Sequence, residues 1–175
     1  MSSDRLQAIL TDRRSRNPRA GFSLIEMLIV LAIIGVILLF AVPKLTTALR
    51  GSRETAAMNA VVTIHTAQVQ YYSNYNRYAA SLQELGPPAS GADGPSAANL
   101  IERDLASGEK GGYKFTLQAT PTGYAISAVP SQYPTSGSKT YFSDQGMGIH
   151  VHNGQEPATL NDPLMGEAAP QQQTK

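Results

Sequence analysis

Apolar residues dominate the chain from Phe22 to Val42, where Glu26 is the single charged residue. As a helix these 21 residues would measure about 31 Å at ~1.5 Å per residue, close to a hydrocarbon core of ~30 Å. The run exceeds the ~7–15 apolar residues of a secretory signal core. It predicts a membrane-spanning helix rather than a buried core helix, because the rest of the chain is too small to surround it. Beyond Pro43, Leu45, Ala48 and Leu49 are followed by the polar stretch 50–54. Ala57, Val61, Ile64, Gln68 and Tyr71 then recur at spacings of three and four. That is the pattern of an amphipathic helix ending near Tyr72–Tyr75. The two segments together make one helix of about 50 residues, far longer than the ~10–14 usual in globular proteins.

The pattern then changes. Ser81-Leu82-Gln83-Glu84 fits a capping box with a short helical turn. Residues 86–95 hold three Gly and three Pro and read as loop. Residues 96–105 fit a second short helix with Leu100, Ile101 and Leu105 on one side, closed by Gly111-Gly112. Tyr113, Phe115 and Leu117 alternate with Lys114, Thr116 and Gln118, the period-two signature of a half-buried strand. Pro121-Thr122-Gly123 is a turn. Residues 124–129 form a second strand that stops at Pro130, and 140–143 and 149–152 a third and a fourth. The fold class is therefore α+β: a long N-terminal helix packed on a small antiparallel sheet, whose apolar face must be buried against something. The organisation is a leader over 1–21, a span over 22–42, a stalk helix over 43–75, a globular part over 76–152 and a flexible tail over 153–175. The tail follows from its prolines and the Gln171-Gln172-Gln173 run.

Composition narrows the chemistry. The 175 residues contain no Cys and no Trp, so a disulfide scaffold, a thiolate metal site and a Cys nucleophile are excluded. Charged residues are 15% and the net charge is +1, which gives no reason to expect nucleic acid as a partner. Residues 1–21 carry five Arg against two Asp, a net +3, so the remaining 154 residues are net −2. Four bases precede the span (Arg13, Arg14, Arg16, Arg19) and three follow it (Lys44, Arg50, Arg53), a bias that favours a cytoplasmic N-terminus.

Glu26 is a carboxylate within the span, a functional position by default. No second titratable group in the span works with it as a catalytic acid. It lies four residues after Phe22, on the same helix face. A chain cut before Phe22 would present an ammonium as its counter-charge, in the same chain or in a neighbour.

Gly21-Phe22-Ser23-Leu24-Ile25-Glu26 resembles the cleavage site of type IV pilins and pseudopilins. The resemblance is specific over residues 19–43 and weaker beyond; the 21-residue leader is longer than the short leaders of the Phe-starting class. It implies that a prepilin peptidase cuts after Gly21 and methylates Phe22, and that Glu26 is the family's assembly glutamate. Gly35 and Pro43 fall where members carry helix-loosening residues. Physically, Gly costs roughly 1 kcal/mol against Ala in a helix and Pro about 3, so the two bracket 36–42 as the segment easiest to loosen. The alternative for the pair is a kink at the membrane surface and a close-packing site.

The resemblance also implies partners and a place. The partners are further copies of the chain and minor pilin-like subunits in a helical filament, the prepilin peptidase, an inner-membrane assembly platform, and the bilayer before assembly. The protein would wait in the inner membrane and then enter a periplasmic or cell-surface filament. The small sheet without a disulfide is similar to the major pseudopilins of type II secretion; a type IV pilus pilin and a membrane-tethered binding module are the alternatives. The calcium-loop segment of those pseudopilins is absent, and Asn161-Asp162-Pro163 is at most a remnant. His150 and His152 share a strand face without a carboxylate at a telling spacing. His65 reads as a sheet-facing or surface residue, and the tyrosines 71, 72, 75 and 78 as packing at the helix end. The expectation is no catalytic residue, no cofactor and no metal.

Overall fold

The computed structural model describes residues 22–120 and 122–167. The leader, Gly21 included, and the end of the tail lie outside the described residues. Helix α1 runs Leu24–Tyr75 without a break, 52 residues, as the combined pattern predicts. Two compact units divide the chain, residues 1–41 and 42–175. In the first, every described residue is exposed.

In the second unit, α1 buries Ala57, Ala60, Val61, Ile64, Ala67, Gln68 and Tyr71, the face that the spacing predicts. Leu45 and Leu49 stay exposed. After α1 come α2 (Leu82–Leu85), α3 (Arg103–Ala106), β1 (Glu109–Lys110), β2 (Tyr113–Thr120), β3 (Gly123–Pro130), β4 (Lys139–Asp144) and β5 (Ile149–Asn153). The strands form one antiparallel meander in chain order. Phe115, Leu117, Tyr124, Ile126, Ala128 and Tyr141 point inward and join the buried face of α1 in one core. On β2, Tyr113, Phe115 and Leu117 are buried and the residues between them exposed, as alternation requires.

The fold differs from the sequence pattern in four places. Gly111 and Gly112 both have positive φ, 61° and 84°. They are the turn of a hairpin that pairs Lys110 with Tyr113, so a fifth strand precedes the four expected. Helix over 96–105 shrinks to Arg103–Ala106. Asn99 sits at φ 54°, which interrupts a right-handed helix, and the amides of Ala98, Asn99 and Leu100 donate to the carbonyls of Glu84, Gly86 and Leu85. Ser81 precedes α2 without a side-chain cap. Glu84 turns back instead to accept from Ala80 N–H at 3.2 Å, Arg77 at 2.8 Å and the Tyr71 hydroxyl at 3.0 Å. Burial pushes the Glu84 carboxyl up, but these donors, Arg77 foremost, hold it below its ordinary value.

The fourth difference is the tail. The sequence pattern predicts a flexible tail over 153–175; of it, residues 154–167 include a segment that hydrogen-bonds to β5. Val151 N–H donates to Pro163 O and Met165 N–H to Ile149 O, so the segment lies along the free edge of β5 and covers it. Asp162 fastens it. One carboxylate oxygen accepts from His152 Nδ1 at 2.8 Å, and the other from the amide and hydroxyl of Thr159 at 2.7 and 2.9 Å. Composition suggested disorder because it counts prolines and misses these three local acceptor contacts.

Two contacts tie α1 to the far loop and one joins it to the sheet centre. Glu54 accepts from the amide and hydroxyl of Ser138 at 2.9 and 2.8 Å, and Arg53 donates to Thr135 O. His65, 4% exposed, lies 2.8 Å from both the Tyr124 hydroxyl and Ser143 Oγ. Ser143 spends its proton on Gly148 O at 2.7 Å, so it accepts from His65 Nε2–H. Nδ1 is then the acceptor for Tyr124. The imidazole is neutral with both nitrogens satisfied.

That arrangement makes the unit acid-sensitive. Burial pushes the His65 pKa down, and the Asp144 carboxylate opposes it only in part. The unfolded chain therefore takes up a proton first as pH falls, and stability is lost on going below about pH 6.5. The loss is at most about 1.4 kcal/mol per pH unit for one proton. Urea unfolding of the full chain in detergent should show the midpoint falling over this range. His65→Gln, which cannot charge, should start from a lower midpoint and fall less steeply; an equal fall would put the sensitivity in other groups.

Candidate functional site

The first turn of the apolar helix gathers the residues singled out in the sequence. Phe22 and Ser23 precede α1, and the Ser23 carbonyl accepts from Glu26 N–H at 3.0 Å and Met27 N–H at 3.2 Å. Ser23 thus occupies the helix N-cap, and Ser23-Leu24-Ile25-Glu26 has capping-box spacing. That signal is legible in the sequence beside the Phe22–Glu26 spacing. Glu26 lies in the first turn, where a negative charge favours the helix dipole. Phe22 is 77% exposed. The Gly21–Phe22 peptide bond is therefore followed by non-helical, open backbone; Gly21 itself lies outside the described residues.

Gly35 has nothing within 4 Å of where a Cβ would sit. From Leu24 to Ala41 every side chain is exposed, and the helix is the one stretch of the described residues long and apolar enough to span a membrane.

Pro43 is the second residue of the second unit, after Val42. It lies inside α1 without ending it. Lacking an N–H, it leaves the Leu39 carbonyl without its helical donor. The Pro43 carbonyl in turn accepts from the hydroxyls of Thr46 at 2.8 Å and Thr47 at 3.1 Å. Such bonds to the preceding turn weaken the regular helical ladder. Gly51, also with open space at its Cβ position, and Thr55, whose hydroxyl donates to Gly51 O at 3.0 Å, repeat the device further along. These threonines and Gly51 were not singled out in the sequence, because Thr in a helix reads as a neutral surface residue.

Other candidate chemistry disperses. His150 Nδ1 lies 2.6 Å from Asp162 O and His152 Nδ1 2.8 Å from Asp162 Oδ1. The free Nε2 atoms lie toward Gly148 and Gly154, at opposite ends of β5, so they do not converge on one ion. Among the described residues no three His, Cys, Asp or Glu side chains gather as metal ligands. Ser143 beside His65 is fully buried and donates its proton to a carbonyl, so this pair does not present an exposed nucleophile. The tyrosines do pack at the helix end: Tyr71 on Tyr75, Tyr72 on Tyr78 and Tyr78 on Tyr124, with ring centres 4.6–4.9 Å apart.

Residues 16–42 match the family described as the prokaryotic N-terminal methylation motif. Over 71 residues the chain is 37% identical to the type IV major pilin protein PilA of Myxococcus xanthus (strain DK1622), a match covering 40% of this chain and 32% of that protein. The chain thus spans about a third of the length of the curated relative it matches. No solved structure matches it. The methylation motif and the likeness to a type IV major pilin, on an α+β scaffold of a long N-terminal apolar helix and an antiparallel sheet, support a type IV pilin-like family for this chain.

Proposed function

We propose that the chain is a structural subunit of a type IV pilus-like filament. Prepilin peptidase trims it after Gly21 and methylates it at Phe22, and it is held in the inner membrane by its apolar helix until assembly. The observation that carries this reading is a Gly-Phe junction followed by open backbone, a first-turn Glu26 and an apolar helix face with no cover in its own chain. The subunit is structural and not catalytic. The likeness to a type IV major pilin supports a pilus; the small sheet and the lack of Cys support a type II secretion pseudopilus. Both machines use the same chemistry at the N-terminus.

Cleavage would place an ammonium at the helix N-terminus, where the dipole disfavours it by about 0.3–1 kcal/mol. Glu26 offsets that charge. Among apolar helices of neighbouring subunits an unpaired carboxylate is costly, and the Phe22 amine is the partner the processed span supplies. The pair sets the axial register of docking, with the acceptor on an adjacent subunit.

The mass of the protein from its host is the direct test. It should correspond to a chain beginning at Phe22 and one methyl group heavier. A chain that retains residues 1–21, or is cut elsewhere, is a tethered module and not a filament subunit. Glu26→Leu should still be trimmed and should enter the membrane at least as well, since an intramembrane carboxylate costs up to ~2.5–3.5 kcal/mol. It should assemble poorly; abundant filaments of ordinary register by electron microscopy would remove the charge pair as the docking device. Pro43→Ala restores a helical donor and removes a ring clash, together a gain of about 3 kcal/mol in a helix interior. Its helix should resist amide exchange over residues 39–47 better than the natural one, yet the filament yield should fall, because assembly uses the loosened segment. Unchanged yield and helical rise would leave Pro43 a kink alone.

A further inference from the structure

The segment beside β5 meets that strand through both kinds of oxygen on one residue. His150 and His152 stand on the same face of β5, two residues apart, and each turns a ring nitrogen to Asp162. His150 Nδ1 lies 2.6 Å from the Asp162 main-chain oxygen, and His152 Nδ1 lies 2.8 Å from Asp162 Oδ1. A carbonyl oxygen and an ionised carboxylate only accept, so both Nδ1 atoms carry a proton and donate it. Thr159 holds the second carboxylate oxygen through its amide and hydroxyl. His152 and Thr159 are enough to fasten the side chain. The His150 contact is of another kind, because it places an N–H on the carbonyl of the Asp162–Pro163 peptide bond.

That bond differs chemically from its neighbours. Its nitrogen belongs to a proline ring and has no hydrogen. It is a tertiary amide, more basic at nitrogen than an ordinary amide and a better leaving group once protonated. Its carbonyl carbon is within reach of the carboxylate of the same residue, since attack there closes a five-membered ring. A nucleophile in the same residue replaces a bimolecular encounter by proximity. A donor on the carbonyl oxygen draws charge from the carbon and stabilises the oxyanion that attack creates.

The surroundings suit the same chemistry. The hydrogen bond from His152 is the main reason that the Asp162 carboxyl is held below its ordinary value, which favours the nucleophilic, ionised form. Both sides of the bond are clamped to β5, the near side by His150 and the far side by Val151 N–H on the Pro163 oxygen. A hollow of about 480 Å³, lined by His150, Asp162 and Pro163 among others, lies against the bond and gives water access to it.

We propose that the Asp162–Pro163 bond is a self-cleavage site, with Asp162 as the nucleophile, His150 as the donor to the oxyanion and His152 positioning the carboxylate. A carboxylate oxygen of Asp162 bonds to the carbonyl carbon of its own residue, and the oxyanion formed accepts from His150 Nδ1–H. The bond to Pro163 then breaks, and the proline nitrogen takes a proton from solvent and leaves as a secondary amine. Water opens the cyclic anhydride left on Asp162. One water is consumed; one product ends in Asp162 with two carboxylates and the other begins at Pro163. The event happens once per chain, so it is processing and not turnover. It carries away the Pro163 oxygen and the Met165 amide, and so uncovers Val151 N–H and Ile149 O on the edge of β5 for pairing with another strand. The proposal stands apart from the filament reading.

The test is the intact mass of the freshly purified full chain, kept in detergent at neutral pH with protease inhibitors and sampled over several weeks. A fragment beginning at Pro163 should appear with first-order kinetics, at a rate independent of protein concentration. Pro163→Ala keeps the carbonyl that Val151 bonds but gives the bond an ordinary amide nitrogen. It should keep a urea midpoint close to the natural one and stay whole. His150→Leu, whose segment is still held by His152, Thr159 and Val151, should break on the order of 100-fold more slowly, the loss for one oxyanion donor. The natural chain unfolded in urea keeps the bond but loses both histidine contacts, and it should also break about 100-fold more slowly than the folded chain. A folded natural chain that stays whole overturns the proposal, as does a break at another bond. So does a break as fast in urea as in the folded state, or Pro163→Ala or His150→Leu breaking at the natural rate.

Discussion

The constraint on which the protein depends is an apolar helical surface that its own chain leaves uncovered. Every side chain from Leu24 to Ala41 is exposed, and burying a residue such as Ile or Leu is worth about 1.5–3 kcal/mol. No arrangement in water tolerates that surface. Lipid or other apolar helices can cover it, and under the filament reading proposed above the helix would pass from the one to the other and need an environment-specific anchor at its end. On that reading Glu26 would be suited to this, as the charged group in the span whose interaction would change from a cost in hydrocarbon to a gain beside an ammonium.

The second unit solves the opposite problem. Its stretch of α1 needs a cover, and a five-stranded meander supplies one with few long-range connections. The polar residues of this core are paired with each other rather than left to water. Gln68 exchanges two hydrogen bonds with Ala79, at 2.9 and 3.0 Å, and His65 bridges Tyr124 and Ser143. Buried polar groups with every partner in place fix one packing of helix on sheet, whereas an unpartnered one would cost about 1–3 kcal/mol. The stapling elsewhere is ionic or hydrogen-bonded as well. Glu54 holds the loop before β4 and Asp162 holds the segment beside β5, which are the tasks a disulfide performs in proteins that contain Cys. The pairing of Asp162 with His152, with help from Thr159, holds its carboxyl below its ordinary value, which favours the charged form that makes these contacts.

Legibility in the sequence follows from how far each determinant reaches along the chain. The 52-residue helix was readable because its two hydrophobic patterns, continuous and then three-four, are both local. The buried set Ala57, Val61, Ile64, Gln68 and Tyr71 was readable for the same reason, as were the alternating strands. The hairpin at Gly111-Gly112 carries a local signal, two adjacent glycines before an alternating run, but two glycines suit the end of a helical region as well as a turn. The pairing of residues 163–165 with β5 was not readable. It depends on Asp162 meeting His152 across ten positions, and composition averages such pairs away. The shortened helix near Leu105 depends on Asn99 turning left-handed so that its neighbours bond to α2, a tertiary preference that overrides helical periodicity. Of the candidate site, Phe22, Glu26, Gly35 and Pro43 were all visible, whereas the threonine bonds around Pro43 exist only in three dimensions.

A continuous helix through Pro43 and a helix that loosens there are compatible, and the reason is local. In a helix, the missing Pro43 N–H already removes one rung, and the hydroxyls of Thr46 and Thr47 compete for the carbonyl of the same residue. Gly35 before it and Gly51 after it each carry roughly 1 kcal/mol less helical preference than Ala. The helix therefore persists by small margins over this stretch, unlike residues 57–71, where every turn is tied to the sheet through core contacts. In hydrocarbon an unmade backbone hydrogen bond costs several kcal/mol, so a bilayer would enforce the helix despite its weak rungs. If the segment leaves lipid for contact with other helices, as the filament reading proposes, that penalty would be set by which partners and how much water reach the freed carbonyls. The sequence thus places its least stable helical turns where the surrounding medium, rather than the chain, decides whether they stay closed.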